Sequence, residues 1–246
     1  MGNDAIAPVR PNPVRTTPNQ QTAPVKKVAP PPCDPNLEAY AISFITQINR
    51  KIDAVQAKKI WDVIWLNCTT LKDSRTGENY NVDPLLILAI IAKESHFNQY
   101  CNQDNNSKCK GIMQLSPITA KALGVKDRYD LNESIRGGIT YLCDSRHCRL
   151  GKRGVYGLAG YNAGPGSAWD AINLDKPYHG ETKQYVYCIY HIYGSLKANV
   201  KTGKVAGAIY HAGHNPGTQD LKDFIAALRP GGTGIAFQPI VKSRNA

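Results

Sequence analysis

Along the 246 residues, apolar side chains recur at helical spacing between polar stretches, with almost no strand-like alternation. Leu37, Tyr40, Ala41, Phe44, Ile45 and Ile48 fall three or four residues apart, which predicts a helix beginning near Asn36. A second helix is predicted from about Val55 to Asn67, burying Ile60, Trp61, Ile64 and Trp65. The polar stretch from Asp73 to Asn81 reads as a loop. Asp83-Pro84 then marks a helix start: a carboxylate caps the first turn, and the missing proline N–H does no harm there. The run from Leu85 to Ala92 is apolar on every side, so this helix is expected at the centre of the core, with Glu94 near its end. Ser116-Pro117 opens a short helix closed by Gly124, and Asp130 or Asn132 opens another that runs to about Asp144. Gly164-Pro165-Gly166 is a tight turn, after which Ser167 can cap a helix carrying Trp169. From Glu181 to Lys197 a last helix places Tyr185, Ile189, Ile192 and Leu196 on one stripe. The fold expectation is predominantly α, with at most a small hairpin near residues 100–112.

Composition alters this picture mainly at the ends. Residues 1–35 hold nine of the 16 prolines and few large apolar groups, so they are expected to be a disordered tail. Met1-Gly2 lacks the serine or threonine at position 6 of a myristoylation signal, and no lipid is expected. The first 30 residues contain no apolar core of a secretory leader, and none is expected. No run approaches the roughly 20 apolar residues that span a bilayer. The net charge of +11 suits anionic polymers. It is joined by no recognised nucleic-acid-binding motif, so nucleic acid is not an expected partner. From Leu196 onward, Lys197, Lys201, Lys204, Lys222, Arg229, Lys242 and Arg244 outnumber Asp220 and Asp223. That segment is either an electrostatic anchor or a solvated extension.

The seven cysteines suggest oxidising surroundings at the point of action. Cys101 and Cys109 bracket one polar loop, Cys143 and Cys148 another, and Cys68 and Cys188 are a candidate link between helices. This would leave Cys33 unpaired. Connectivity does not follow from sequence. Zinc is the rival reading, with His147 beside Cys148, but no Cys-x-x-Cys pair is present and no metal or other cofactor is expected.

Four short blocks carry candidate chemistry: Glu94-Ser95, Gly111-Ile112-Met113-Gln114, Ala159-Gly160-Tyr161-Asn162-Ala163-Gly164, and Glu181-Thr182-Lys183-Gln184-Tyr185-Val186. Each alone has an ordinary structural reading: a surface carboxylate, a turn, a glycine-capped helix end, a helix start. Together and in order, they resemble the soluble-lytic-transglycosylase-like enzymes, relatives of goose-type lysozyme. Members show a glutamate-serine pair, Gly-x-Met-Gln, a Tyr-Asn-Ala-Gly turn and Glu-Thr-x-x-Tyr-Val. The resemblance covers roughly residues 80–195. Tyr210-His211-Ala212-Gly213 echoes the third block, but is read as a recurrence of turn residues rather than a second sugar-contacting loop.

The resemblance implies a lysozyme-like fold of the α+β lysozyme superfamily over residues 75–196. A helical segment at 36–74 precedes it and a basic extension at 197–246 follows. It also implies cleavage of peptidoglycan glycan strands with Glu94 as the one general acid and base. Glycoside cleavage needs a proton delivered to the leaving oxygen, and a carboxyl beside apolar groups keeps that proton near neutral pH. In the family the glutamate then draws a proton from the muramic 6-hydroxyl, which closes a 1,6-anhydro ring. By the same resemblance, Ser95 orients Glu94, and Met113 and Gln114 line the groove floor. Tyr161 contacts Glu94 or the adjacent sugar, Asn162 fixes its turn, and Glu181 and Tyr185 close the site. The chain departs from the family between Glu94 and Gln114, where it is longer by about two residues and Lys108-Cys109 replaces a small step. The alternatives are a hydrolytic goose-type lysozyme and a non-catalytic wall-binding module. The expected setting is a bacteriophage protein, either a virion component or an endolysin, acting at the host envelope or periplasm. Tail or capsid partners would hold its ends; a secretion or conjugation machine is the other setting.

Overall fold

A computed structural model describes residues 29–143, 155–164 and 180–227. The proline-rich tail before residue 29, Cys148 with its neighbour His147, the Ser167–Trp169 segment and the extension beyond 227 lie outside the described residues.

Helix α1 (Pro35–Ile48) opens on Asp34, whose side chain accepts from the Asn36 N–H. Helix α2 (Ala54–Thr70) opens with a reciprocal capping box between Asp53 and Gln56. Helix α3 (Pro84–Ser95) is capped by Asp83, with proline in its first turn. Helix α4 (Pro117–Ala122) is capped by Ser116. In α5 (Leu131–Cys143), Asp130 rather than Asn132 is the cap, accepting from the Glu133 N–H at 2.7 Å. Beyond it come α6 (Val155–Ala163), α7 (Gly180–Asn199), a 3-10 turn at Val200–Thr202, α8 (Ala206–Gly213) and α9 (Thr218–Ala227). The Tyr210-His211-Ala212-Gly213 sequence is thus the end of a helix rather than a turn, and α7, expected to be the last helix, is followed by two more.

Among the described residues there is no β-strand, only isolated bridges at Lys72–Asn79 and Lys110–Leu115. The hairpin allowed for at 100–112 reduces to the second of these, one pair of residues closing a turn.

Every residue of α3 from Leu85 to Ala92 is buried. An apolar helix with no polar face must be covered on all sides, and α1, α2, α7 and α8 cover it. Its start is fastened to α7: Tyr193 Oη donates to Asp83 Oδ2 at 2.8 Å, and Lys197 Nζ lies 2.9 Å from the same oxygen. Helices α1 and α2 belong to the same hydrophobic core, with Phe44, Ile45, Trp61 and Ile64 fully enclosed.

Cys33, Cys68, Cys101, Cys109 and Cys188 are free thiols, which corrects the expected Cys101–Cys109 and Cys68–Cys188 links; the Cys143–Cys148 pair reaches outside the described residues. Cys68 does not face Cys188. The packing of α2 on α5 instead brings Cys68 near Cys143. Cys188 sits under α8 with its Sγ 3.4 Å from the His214 carbonyl oxygen. The Cys101–Cys109 loop is held without a clip, because Asn102 Nδ2 donates to the Cys109 carbonyl at 3.1 Å. Arg128 Nη1 also donates to the carbonyls of Lys108 at 2.7 Å and Leu115 at 3.0 Å.

The double duty of Asp83 can be separated by mutation. Asp83→Ala removes both the cap and the anchor for α7, and should destabilise by about 2–3 kcal/mol in urea denaturation. Asp83→Asn keeps a good capping side chain and loses mainly the exposed ion pair, so it should cost less than half as much, about 1 kcal/mol.

Candidate functional site

Glu94 occupies the last turn of α3. The helix stops there because His96 and Phe97 both take left-handed backbone conformations, with φ of 51° and 61°. Such conformations cost roughly 1–2 kcal/mol per non-glycine residue, so they need support from outside. Phe97 is driven into the core, 1% exposed, with its ring edge-on to Phe44 at 5.9 Å. The backward turn also lets Ser95 Oγ donate to the Ile112 carbonyl at 2.8 Å, joining the helix end to the Gly111–Gln114 turn.

That turn is tightly built. Gly111 has φ +78°, and a Cβ placed on it would lie 1.8 Å from the Arg128 carbonyl oxygen, so only glycine fits. Gln114 is itself left-handed, with φ 48°. Its Nε2 donates to the Gly111 carbonyl at 2.7 Å, and its Oε1 accepts from Asn102 Nδ2. Lys110 Nζ donates to the carbonyls of Asn102 and Asn105, which ties down the lengthened loop. Met113 is completely buried and packs against Gly138, where a Cβ would collide with it at 2.2 Å. Its side chain therefore lies beneath the floor and does not line it, contrary to expectation. The pattern Gly-x-Met-Gln marks a packing requirement at this position.

Two tyrosines approach from other helices. Tyr185, on α7, donates its hydroxyl to Glu94 Oε1 at 2.6 Å. Tyr161, on α6, instead donates to the Met113 carbonyl at 2.8 Å, while its ring meets that of Tyr141 at 5.3 Å. The hydroxyl in direct contact with Glu94 thus comes from Tyr185. Tyr161 stays close enough for the Glu94 charge to help hold its phenol protonated, after burial itself. Asn162 Oδ1 accepts from Thr182 Oγ1 at 2.6 Å, which pins the end of α6 to the start of α7. Glu181 is exposed and reaches Glu94 only through its charge.

The Glu94 side chain is part-buried and keeps some access to solvent. Burial raises its pKa to about 7. The Tyr185 hydrogen bond and the Lys93 ammonium pull the other way, and Glu181 adds a small upward push. The result is a carboxyl that holds or releases a proton near neutrality while solvent still reaches it. Among the described residues no group of three or more His, Cys, Asp or Glu is placed to hold a metal ion.

The structure brings together Glu94, Ser95, Met113, Gln114, Tyr161 and Tyr185. Asn162 joins them through Thr182, and Glu181 stands at the margin. Sequence reasoning missed Asn102 and Arg128, which hold the loop and turn around Gln114, and Tyr141, which packs against the Tyr161 ring. It also missed Asn49, whose Nδ2 donates to the His96 carbonyl at 3.0 Å. Tyr141 was within reach as an aromatic one turn from the apolar stripe of α5; the others carry no periodic signal.

Residues 74–184 match the family described as Transglycosylase SLT domain. Among relatives, the chain is similar to membrane-bound lytic murein transglycosylase F of Desulfosudis oleivorans, 32% identical over 135 residues, covering 50% of this chain and 28% of that protein. It is also similar to the protein of that name from Yersinia enterocolitica, 37% identical over 121 residues, covering 47% and 24% of the two chains. The counterpart in Yersinia pseudotuberculosis is 37% identical over 116 residues, covering 43% and 22%. The chain spans about a quarter of the length of these curated relatives. No solved structure gives a significant match. The four motif blocks thus surround one desolvated glutamate in a predominantly α fold, and residues 74–184, a little under half of the chain, are similar to the Transglycosylase SLT domain family.

Proposed function

We propose that this protein is a peptidoglycan lytic transglycosylase, cleaving the β-1,4 bond between N-acetylmuramic acid and N-acetylglucosamine with formation of a 1,6-anhydro ring. The observation that carries this reading is the Glu94 carboxyl, raised by burial to about 7 and held by Tyr185. In its protonated form Glu94 gives its proton to the glycosidic oxygen as the C1–O bond breaks and positive charge develops on the sugar. The carboxylate left behind then takes the proton of the 6-hydroxyl, whose oxygen bonds to C1. Glu94 ends protonated again, so one carboxylate serves both steps. The nucleophile is intramolecular and already in place.

In this reading Tyr185 positions Glu94 and steadies its ionised form. Ser95 and Met113 set the backbone of the helix end and the floor. Gln114, Tyr161, Asn162 and Glu181 shape the groove for the glycan. Residues 75–196 form the catalytic module, 36–74 its helical support, and 197–246 a basic anchor for the anionic wall. Action in the bacterial envelope follows from the substrate. Composition of the two ends supports a phage virion setting with tail or capsid partners. The second reading, hydrolysis by water in the manner of goose-type lysozyme, uses the same acid and differs only in the nucleophile.

With purified sacculi as substrate, Glu94→Gln should lower turnover by about a thousandfold or more while leaving the fold intact by circular dichroism. Undiminished activity would remove the proposal. Mass spectrometry of the wild-type products should show anhydro-muramyl ends, lighter by one water than the reducing ends that hydrolysis would leave.

Tyr185→Phe deletes the bond that favours the carboxylate, so the pKa of Glu94 should rise above about 7. An acid that must be protonated loses activity as pH rises through its pKa. The alkaline limb of the rate profile should therefore move to higher pH in this variant, with kcat reduced at neutral pH.

A further inference from the structure

We infer that Asn49 is a positioning residue for Glu94, holding from outside the family domain the left-handed turn that ends α3. It rests on the reading of Glu94 given above.

A right-handed continuation past Ser95 would carry residues 96 and 97 onward along the axis of α3, away from the core. The observed pair at φ 51° and 61° reverses the chain instead, and neither residue is glycine. His96 is exposed, so its own side chain gives no packing that would enforce this conformation. Two contacts from α1 and the residue after it do so. Phe44 receives the Phe97 ring, and Asn49 Nδ2 donates to the His96 carbonyl at 3.0 Å.

Asn49 is a well-fixed donor. Its N–H closes α1 on the Ile45 carbonyl at 3.0 Å, and its Oδ1 accepts from the Lys51 N–H at 3.1 Å. Its carbonyl accepts from the Ile52 N–H at 3.0 Å. Four polar groups of one residue are thus engaged, and the one long-range bond among them ends two residues after Glu94. Asn49 lies outside residues 74–184, the span matched by the family.

If the turn relaxes, the last turn of α3 gains freedom and water reaches the Glu94 carboxyl. The groups that act on Glu94 are Tyr185 and Glu181 from α7 and its neighbour Lys93. The Glu94 charge is in turn felt by Tyr161 from α6 and by Cys101 and Cys109 from the loop. None of these is touched by a change at Asn49, so loss of desolvation is the expected route of any effect. Hydration lowers the pKa of a buried carboxyl.

The test uses the full chain with Asn49→Ala, His96→Gly and the double variant. Carbon-13 titration of the Glu94 carboxyl, assigned with Glu94→Gln, should give a pKa near 7 in the wild type and a value displaced toward 4.5 in Asn49→Ala. On sacculi, kcat should fall about tenfold with KM little changed, and the alkaline limb should move to lower pH. Glycine adopts left-handed backbone without penalty, so His96→Gly should restore both the titration and kcat in the Asn49→Ala background. An unchanged Glu94 titration in Asn49→Ala would overturn the inference, as would a loss that His96→Gly does not repair. The titration needs no enzymatic activity. A failure of the transglycosylase reading would appear separately, as an active Glu94→Gln.

Discussion

Desolvation of α3 is the constraint to which the other helices answer. From Leu85 to Ala92 every residue is buried, and at roughly 25 cal/mol per Å² of apolar surface this run gains from cover on every side. A helix with no polar face can meet water only at its ends. Both ends of α3 are accordingly polar, and both are joined to α7: Asp83 to Tyr193 and Lys197 at the start, Glu94 to Tyr185 at the finish. The two helices run antiparallel, and the same helix that covers the apolar flank also delivers the phenol that touches the carboxylate. Burial of the core and desolvation of the acid are therefore one event.

The segment that follows shows how the site is kept rigid without a disulfide. Ser95, Gln114, Asn102, Lys110 and Arg128 each satisfy a backbone carbonyl within the stretch from Asn102 to Leu115. Buried or part-buried carbonyls left unpaired would be costly, so each side chain fixes the loop while meeting that need. Gly111 belongs to the same logic, since the Arg128 carbonyl occupies the space where a side chain would begin.

Helices α1 to α5 and α7 were legible because they depend on periodicity and caps, both local properties, whereas α8 and α9 beyond the expected last helix were not. The six-residue α4, short as it is, opens at Ser116-Pro117 as expected. Glu94 was legible as the first charge-bearing acid after an all-apolar helix. What escaped was whatever depends on a meeting between distant segments. Tyr161 and Tyr185 are both aromatic residues in motif blocks, and sequence favoured Tyr161 as the contact with Glu94. Three-dimensional packing gives that role to Tyr185 and turns the Tyr161 hydroxyl to a backbone carbonyl. Met113 looked like a groove residue and is core, because its partner is a bare glycine on α5. The Cys68–Cys188 pairing failed for the same reason: the neighbour of Cys68 is set by how α2 lies on α5.

A group that must first give a proton and then take one works best when both forms are accessible at the working pH. Burial alone would push Glu94 further toward its acid form. A fully solvated glutamate would have almost no acid form at neutrality. Tyr185 and Lys93 oppose the desolvation, and the balance falls at about 7. The opposition holds only if the phenol keeps its own proton. Burial, reinforced by the Glu94 charge, raises the Tyr185 pKa well above its ordinary value, so Tyr185 remains a donor throughout the range in which Glu94 titrates. The contact is thus one-directional: Tyr185 stabilises the carboxylate whenever it forms and does not compete for the proton.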